Sequence, residues 1–280
     1  MGWNRRRPVI HIRSDGQIAK MRAAGLVVQR TLDALCAAVA PGVSTADLDA
    51  IAEKSIRDAG AVPSFKGYHG FPASICASVN DQVVHGIPSE RQVLGPGDVI
   101  SIDCGAILDG WHGDSAVTVP VGDVPPETKK LLDDCEESMW RGLAAVRDGG
   151  RLSDIGHAIE SYVREAGAYG LVEEYGGHGI GTEMHMEPFI PNYGRPGKGA
   201  RMRPGMCFAI EPMINLGSAH TDLLDDGWTV ETKDGSLSAH FEHTVALTDD
   251  GPWVLTAADG GRAAFDRLGI PHAADRDPGR

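Results

Sequence analysis

Residues 42–60 recur in outline 107 positions further along the chain. Gly42 aligns with Gly149, Asp47 with Asp154, Glu53 with Glu160, Arg57 with Arg164, and Ala59-Gly60 with Ala166-Gly167. A second segment repeats at almost the same offset: Pro96-Gly97-Asp-Val-Ile-Ser-Ile-Asp103 returns 108 positions later as Pro204-Gly205-Met-Cys-Phe-Ala-Ile-Glu211. Two separate segments sharing one offset exceed chance spacing, and a long period with only two copies does not make a solenoid. The pattern predicts two similar halves folded face to face. A length of 280 residues admits one large domain or two small ones; the echo selects a single domain of two related halves.

Local signals give the halves their contents. Ser14-Asp15-Gly16-Gln17 has capping-box spacing, and helical periodicity follows to about Val39, where Pro41-Gly42 stops it. Further helices are predicted over 45–59, closed by Gly60, over 126–147, with Pro126 in the first turn, and over 153–166, closed by Gly167. Val99 to Asp103 and Cys207 to Glu211 read as buried strands, each ending on a carboxylate. Asp109-Gly110 is a hairpin signal before a return strand from Trp111 to Val121, and Asp234-Gly235 plays that part before Leu237 to Leu247. Helices packed on antiparallel strands make an α+β fold. A short extension is expected over 1–12, the main domain over 13–258, and a partly disordered tail over 259–280.

An acid at the end of an apolar strand needs a partner. Asp103 and Glu211 hold such positions, and Asp114 and Glu242 lie on the return strands. A pseudo-twofold axis would bring all four together, where they could not all stay ionised without cations. Two divalent ions would balance four negative charges. His178, set in Gly176-Gly177-His178-Gly179-Ile180-Gly181, supplies an imidazole; His185 follows seven residues later, and His85 sits in Val-Val-His85-Gly-Ile-Pro. Carboxylates with one imidazole suit Mn, Fe, Co or Zn, and such a metal pair can activate a water for hydrolysis. Taken singly, each residue has a duller reading: Asp114 a turn residue, His178 a loop residue, His85 a satisfied core histidine.

Charge and cysteine content narrow the function classes. With 26 basic and 39 acidic residues, the net charge is −13. That surplus argues against a nucleic-acid surface and against anionic lipid; beyond the four converging acids it reads as solubility. Five cysteines, at 36, 76, 104, 135 and 207, are widely spaced without a Cys-x-x-Cys pair, which predicts a reducing compartment, the cytoplasm. The Arg5-Arg6-Arg7 cluster is not followed by an apolar segment, so no secretory signal is expected. The longest apolar stretches, such as 35–40, are far short of a membrane span.

Gly-Tyr68-His69-Gly-Phe71-Pro, Asn80-Asp81 with the following Val-His85-Gly-Ile-Pro, Ile-Asp103, His-Gly-Asp114, Gly-His178-Gly-Ile-Gly, Ile-Glu211-Pro-Met and Phe-Glu242-His-Thr stand in this order. Together they resemble the type I methionine aminopeptidase family over residues 12–256. The resemblance implies the pita-bread fold of creatinases and aminopeptidases, two pseudo-symmetric halves around a dinuclear metal centre. It implies five ligands: Asp103 on one ion, His178 and Glu211 on the other, Asp114 and Glu242 bridging. Glu211 would also act as general base toward a water between the ions, and His85 and His185 would contact the substrate amide and stabilise the tetrahedral intermediate. Tyr68, Phe71, Cys76 and Trp228 match the pocket for the methionine side chain, with His69 also in contact with substrate. The implied activity removes the initiator methionine from nascent polypeptides with a small second residue. The implied enzyme is a monomer without membrane or nucleic-acid partners, touching the ribosome transiently through its own catalytic domain.

Four positions depart from the family pattern: Met184 stands for an aromatic, Met186 for Glu, Phe65 for Cys, and His240 for Gln. None is an implied ligand, so they bear on selectivity rather than on the reaction. Prolidases and Xaa-Pro aminopeptidases share the metal chemistry but carry a large N-terminal domain, whereas here the first helix begins by Ser14. A type II enzyme would need a helical insertion between His185 and Glu211, where only 25 residues intervene. A ligand-free binding protein of the same fold is the remaining alternative, and the complete ligand set argues against it.

Overall fold

The computed structural model describes residues 10–275, so the Arg5-Arg6-Arg7 cluster and residues 276–280 lie outside the described residues. Helices α1 (Asp15–Ala38) and α2 (Thr45–Asp58) precede strands β1 (Val62–Pro63), β2 (Ile75–Val79), β3 (Gln82–Val84), β4 (Val99–Leu108) and β5 (Trp111–Pro120). The second half repeats the plan with α3 (Pro126–Ala144) and α4 (Leu152–Ala166). Strands β6 (Gly170–Leu171), β7 (Gly177–Gly179), β8 (Met186–Ile190), β9 (Cys207–Ile210) and β10 (Met213–Asn215) follow. After them come β11 (Thr221–Leu223), β12 (Val230–Thr232), β13 (Ser238–His240), β14 (Glu242–Thr248), β15 (Gly251–Val254) and helix α5 (Arg262–Leu268).

The aligned residues of the echo do the same work in both halves. Asp47 accepts the Ser44 N–H at 3.0 Å, and Asp154 accepts the Arg151 N–H at 2.9 Å, each closing the first turn of its helix. Glu53 pairs with Arg57 at 2.8 Å and Glu160 with Arg164 at 2.6 Å, one turn apart on the same face. At α1, Ser14 and Gln17 form the expected capping box. The repeat is therefore a repeat of helix-end chemistry as well as of pattern.

Nine strands form the main sheet, in the order β1-β4-β5-β14-β9-β7-β8, with β2 also on β4 and β15 also on β14. Pairs β4–β5 and β9–β14 are equivalent antiparallel pairs, the first a tight hairpin and the second joined through β10–β13, and β5–β14 is the seam between the halves. One core lies under α1 and α2 (Val28, Leu35, Leu48, Ile56 against Ile100 and Ile102), the other under α3 and α4 (Leu131, Leu143, Ile155, Ile159 against Phe208 and Val245). Each such side chain contributes about 1.5–3 kcal/mol on burial. Helix α1 sits unusually close to the sheet, because Gly25 faces Gly113: a Cβ on Gly113 would lie 2.7 Å from the Gly25 backbone. No helix among the described residues is long and apolar enough to cross a membrane.

Three expectations change. Strand β4 does not end at Asp103 but continues to Leu108, because the Asp109-Gly110 turn (φ 50° and 77°) extends the β4–β5 ladder to Leu108 opposite Trp111. The single strand expected over 237–247 is two. β13 pairs with β10 in a small sheet, β14 joins the main sheet, and the chain changes sheets at the buried Phe241. Asp234-Gly235 does turn the chain, but the flanking β12 and β13 are not partners. Within residues 259–275, Phe265 of α5 is fully buried, and Ala273 is buried beyond it.

Candidate functional site

A cavity of about 640 Å³ opens at the middle of the sheet, and every residue singled out from the sequence as a ligand, catalytic group or pocket residue lines it. The seam explains this. Asp114 and Glu242 come from the two central strands β5 and β14, while Asp103 and Glu211 come from their outer neighbours, β4 and the end of β9. His178 arrives on the short β7, which also pairs with β9. A Cβ at Gly177 or Gly179 would lie 2.3 Å from the Ala209 or Glu187 carbonyl oxygen, so only glycine on both sides lets the His178 backbone sit between its neighbours.

The donor atoms are arranged for a cation. One atom from each of Asp114, His178 and Glu242 lies within 4.8 Å of the others, and His178 Nε2 is 3.5 Å from Glu211 Oε1. Asp103 Oδ1, Asp114 Oδ1 and Glu242 Oε1 are buried without a hydrogen-bond partner, which buried polar atoms rarely tolerate. His178 Nδ1 lies 3.0 Å from the Gly179 carbonyl. A carbonyl only accepts, so Nδ1 carries the proton and Nε2 presents its lone pair, the arrangement of a metal-binding imidazole. Unpartnered carboxylate oxygens together with a fixed imidazole lone pair are a donor set suited to divalent cations.

Electrostatics agree. Burial, opposed only by a backbone hydrogen bond, pushes Asp103 up to about 7. Burial, and then repulsion from the neighbouring carboxylates, pushes Asp114, Glu211 and Glu242 well above the usual carboxylate range. The same enclosure lowers His178 to about 3 and His85 to about 4, and it also lowers His185. The imidazoles are therefore neutral near pH 7.

Beside the cluster the cavity becomes apolar. Phe65, Phe71, Ala73, Cys76 and Met184 pack together with Tyr68, Ile87 and Trp228. Phe71 and Trp228 meet edge to face at 5.1 Å, and Asp226 holds the Trp228 loop by accepting the Trp228 and Thr229 N–H groups at 2.8 Å. His185 stands over His178, ring centres 4.4 Å apart, and its Nδ1 shares a hydrogen bond with the Tyr68 hydroxyl at 2.9 Å. His85 holds a left-handed backbone (φ 61°), its ring edge-on to Tyr175 at 5.6 Å. The four departures from pattern also gather here: Phe65, Met184 and Met186 line the cavity, and the buried His240 places Nε2 4.0 Å from Glu211 Oε2.

Sequence reasoning missed several lining residues: Val84, Glu174, Tyr175, Glu187, Phe189 and Met213. Three adjoin a residue that was found: Val84 before His85, Tyr175 before the glycine run and Glu187 after Met186. Adjacency to a candidate was the available signal.

The chain matches the model of metallopeptidase family M24 over residues 19–249. It is 56% identical over 257 residues to methionine aminopeptidase 1 of Mycobacterium tuberculosis (strain CDC 1551 / Oshkosh), covering 90% of this chain and 97% of that one. To methionine aminopeptidase 1 of Bacillus subtilis (strain 168) it is 53% identical over 240 residues, with 86% and 96% coverage. The crystal structure of methionine aminopeptidase from Rickettsia prowazekii superposes with a TM-score of 0.87 at 44% identity, over 89% of this chain and all of that one. The prolidase from Pyrococcus furiosus, at 20% identity and a TM-score of 0.71 over 88% of this chain and 65% of that one, shares the fold. With these matches spanning nearly all of the pita-bread domain, the chain belongs to metallopeptidase family M24, among its methionine aminopeptidases.

Proposed function

We propose that the chain is a divalent-metal-dependent aminopeptidase that removes the first methionine from polypeptides whose second residue is small. The observation that carries this reading is the meeting, in one cavity, of buried carboxylates with unpartnered oxygens and an apolar, aromatic-lined pocket. Similarity to proteins named methionine aminopeptidase supports it. Asp103, Asp114, His178, Glu211 and Glu242 would hold two ions, four carboxylates balancing four positive charges; Co, Mn, Fe and Zn all suit the set. When bound, such ions supply Lewis acidity and a water acidic enough to react near neutral pH.

The protein's own groups divide the remaining work. Glu211, ionised once cations compensate the cluster, would take the proton of the attacking water and pass it to the departing amine. Neutral His85 and His185 present N–H donors to the substrate amide and to the oxygen that gains charge in the tetrahedral intermediate. The ligand cluster would receive the substrate's free α-amine, which only a chain terminus offers, so cleavage is confined to the first residue, and the side-chain pocket rejects the new terminus once methionine has left. The methionine side chain enters between Tyr68, Phe71, Cys76 and Trp228, where a thioether packs well on aromatic rings, and His69 contacts the substrate at the rim. Met184 and Phe65 belong to the same wall and tune which side chains it accepts.

The proposal extends to a monomer acting in the cytoplasm on nascent chains, with transient ribosome contact through its own surface. The five free cysteines suit a reducing compartment. Release of Met from Met-Ala-Ser tests the central claim. It should proceed with a divalent metal and stop with a chelator, and no release with any of Mn, Fe, Co or Zn would sink the reading. A metal titration of the stripped chain should saturate at two ions.

A further inference from the structure

The seam between the halves is held in an unusual way. β5 and β14 pair at only two Cα positions, Ala116 opposite Glu242 and Ser115 opposite His243, whereas β4 and β5 pair along their whole length. Buried hydroxyls join the seam instead. Thr244 Oγ1 accepts the Asp114 N–H at 3.1 Å and donates to the Asp114 carbonyl at 2.8 Å. Beside the seam, Thr118 Oγ1 treats His240, the last residue of β13, the same way, accepting its N–H at 2.8 Å and donating to its carbonyl at 2.7 Å. Ser115 Oγ donates to the Glu242 carbonyl at 2.6 Å. A hydroxyl has one proton and two acceptor lone pairs, so one threonine can satisfy both backbone groups of a residue on a neighbouring strand.

These braces are themselves fixed. Ser115, Thr118 and Thr244 are all buried. The Thr244 N–H donates to Thr256 Oγ1 at 3.0 Å, and His243 Nδ1 lies within hydrogen-bond distance of both Thr256 and Ser115 hydroxyls. Two of the three braces grip the backbone of a residue whose carboxylate enters the cation cluster, and they do so crosswise. Asp114 is held from the residue two after Glu242, and Glu242 is held from the residue one after Asp114. Sliding of β5 along β14 would change the spacing of these carboxylates, and cation sites tolerate only a few tenths of an ångström, about 0.2 Å in ligand distance.

We propose that Thr244 and Ser115 are positioning residues of the cation site, fixing the separation of the Asp114 and Glu242 carboxylates by bracing β5 against β14. The inference rests on the reading of that cluster as the metal centre. Its test is a calorimetric titration of Mn²⁺ into chelator-stripped protein, with thermal unfolding measured alongside. Thr244→Val keeps the shape and loses the hydroxyl; its Mn²⁺ affinity should fall about 10–100-fold, as for other partners of metal ligands, while Thr244→Ser stays within about threefold of the unmodified chain. Thr118→Val removes the brace from β5 to β13, which grips the backbone of neither Asp114 nor Glu242, and should lower the unfolding temperature with little change in affinity. Unchanged Mn²⁺ affinity in Thr244→Val, or an equal loss in Thr118→Val, would overturn the proposal in favour of general stabilisation of the seam. If Thr244→Val does not fold, Ser115→Ala decides by the same two outcomes. Mn²⁺ binding without Met release would sink the peptidase reading alone, and no Mn²⁺ binding by the unmodified chain would sink both.

Discussion

Asp103, Asp114, Glu211 and Glu242 crowd one another in an enclosed site, so in metal-free protein they hold protons that the unfolded chain would release. For Asp103 the folded value is about 7 against an ordinary 3.8. A raised folded value contributes stability fully present below about 4 and lost as pH rises toward 7. The lowered imidazoles act in the opposite sense over much of the same range, so the melting temperature of stripped protein should fall relative to that of cation-loaded protein, whose carboxylates are compensated, as pH rises through that window. Melting curves in chelator and in Mn²⁺ across that range check this, and parallel pH dependences would contradict it. Glu211→Gln keeps the side chain's size but removes the base. Met release should drop about 10²–10⁴-fold with little change in melting temperature, and near-full activity would take Glu211 out of that role. The clustered carboxylates were legible in the sequence because a carboxylate inside an apolar strand is anomalous on its own. Glu174, Tyr175 and Phe189 were not, because residues of ordinary polarity become cavity wall only through the path of the chain around them.

Helix α1 carries a glycine in its interior at Gly25, a position where helix propensity alone favours alanine by about 1 kcal/mol. The close packing reverses that preference. A Cβ at Gly25 would lie 2.3 Å from the Leu255 carbonyl oxygen, and overpacking of this kind costs about 1–3 kcal/mol or more. Gly25→Ala should lower the melting temperature by about 5 °C; a stabilised variant would show that the helix can retreat from the sheet. The four long helices were legible nearly to their ends because capping side chains and terminal glycines are local signals. The split of 237–247 into β13 and β14 was not, since both pieces are apolar and alternation does not say which sheet a strand joins.

Across the whole molecule the two halves are also tied by Arg22. From α1 its guanidinium donates to the carbonyls of Val254, Leu255 and Ala257 at 3.2, 2.8 and 2.6 Å, and to that of Ala258 at 2.9 Å. Hydrogen bonds from a charged donor contribute about 1.5–3 kcal/mol each and do not add simply. Arg22→Met should therefore reduce unfolding free energy by about 3 kcal/mol, read as a lower urea midpoint at unchanged slope. A midpoint within error of the unmodified chain would show the clasp to be dispensable. The sequence by itself determined the duplicated plan, the helix ends, the tight hairpin at Asp109-Gly110 and the identity of the acids, because each depends on residues near one another in the chain. Tertiary structure alone decided that β5 and β14 meet at the seam, that hydroxyls 130 residues away hold Asp114 in place, and that Asp103 lies within a strand rather than at its end. Those outcomes depend on which strands become neighbours, and a local pattern does not carry that choice.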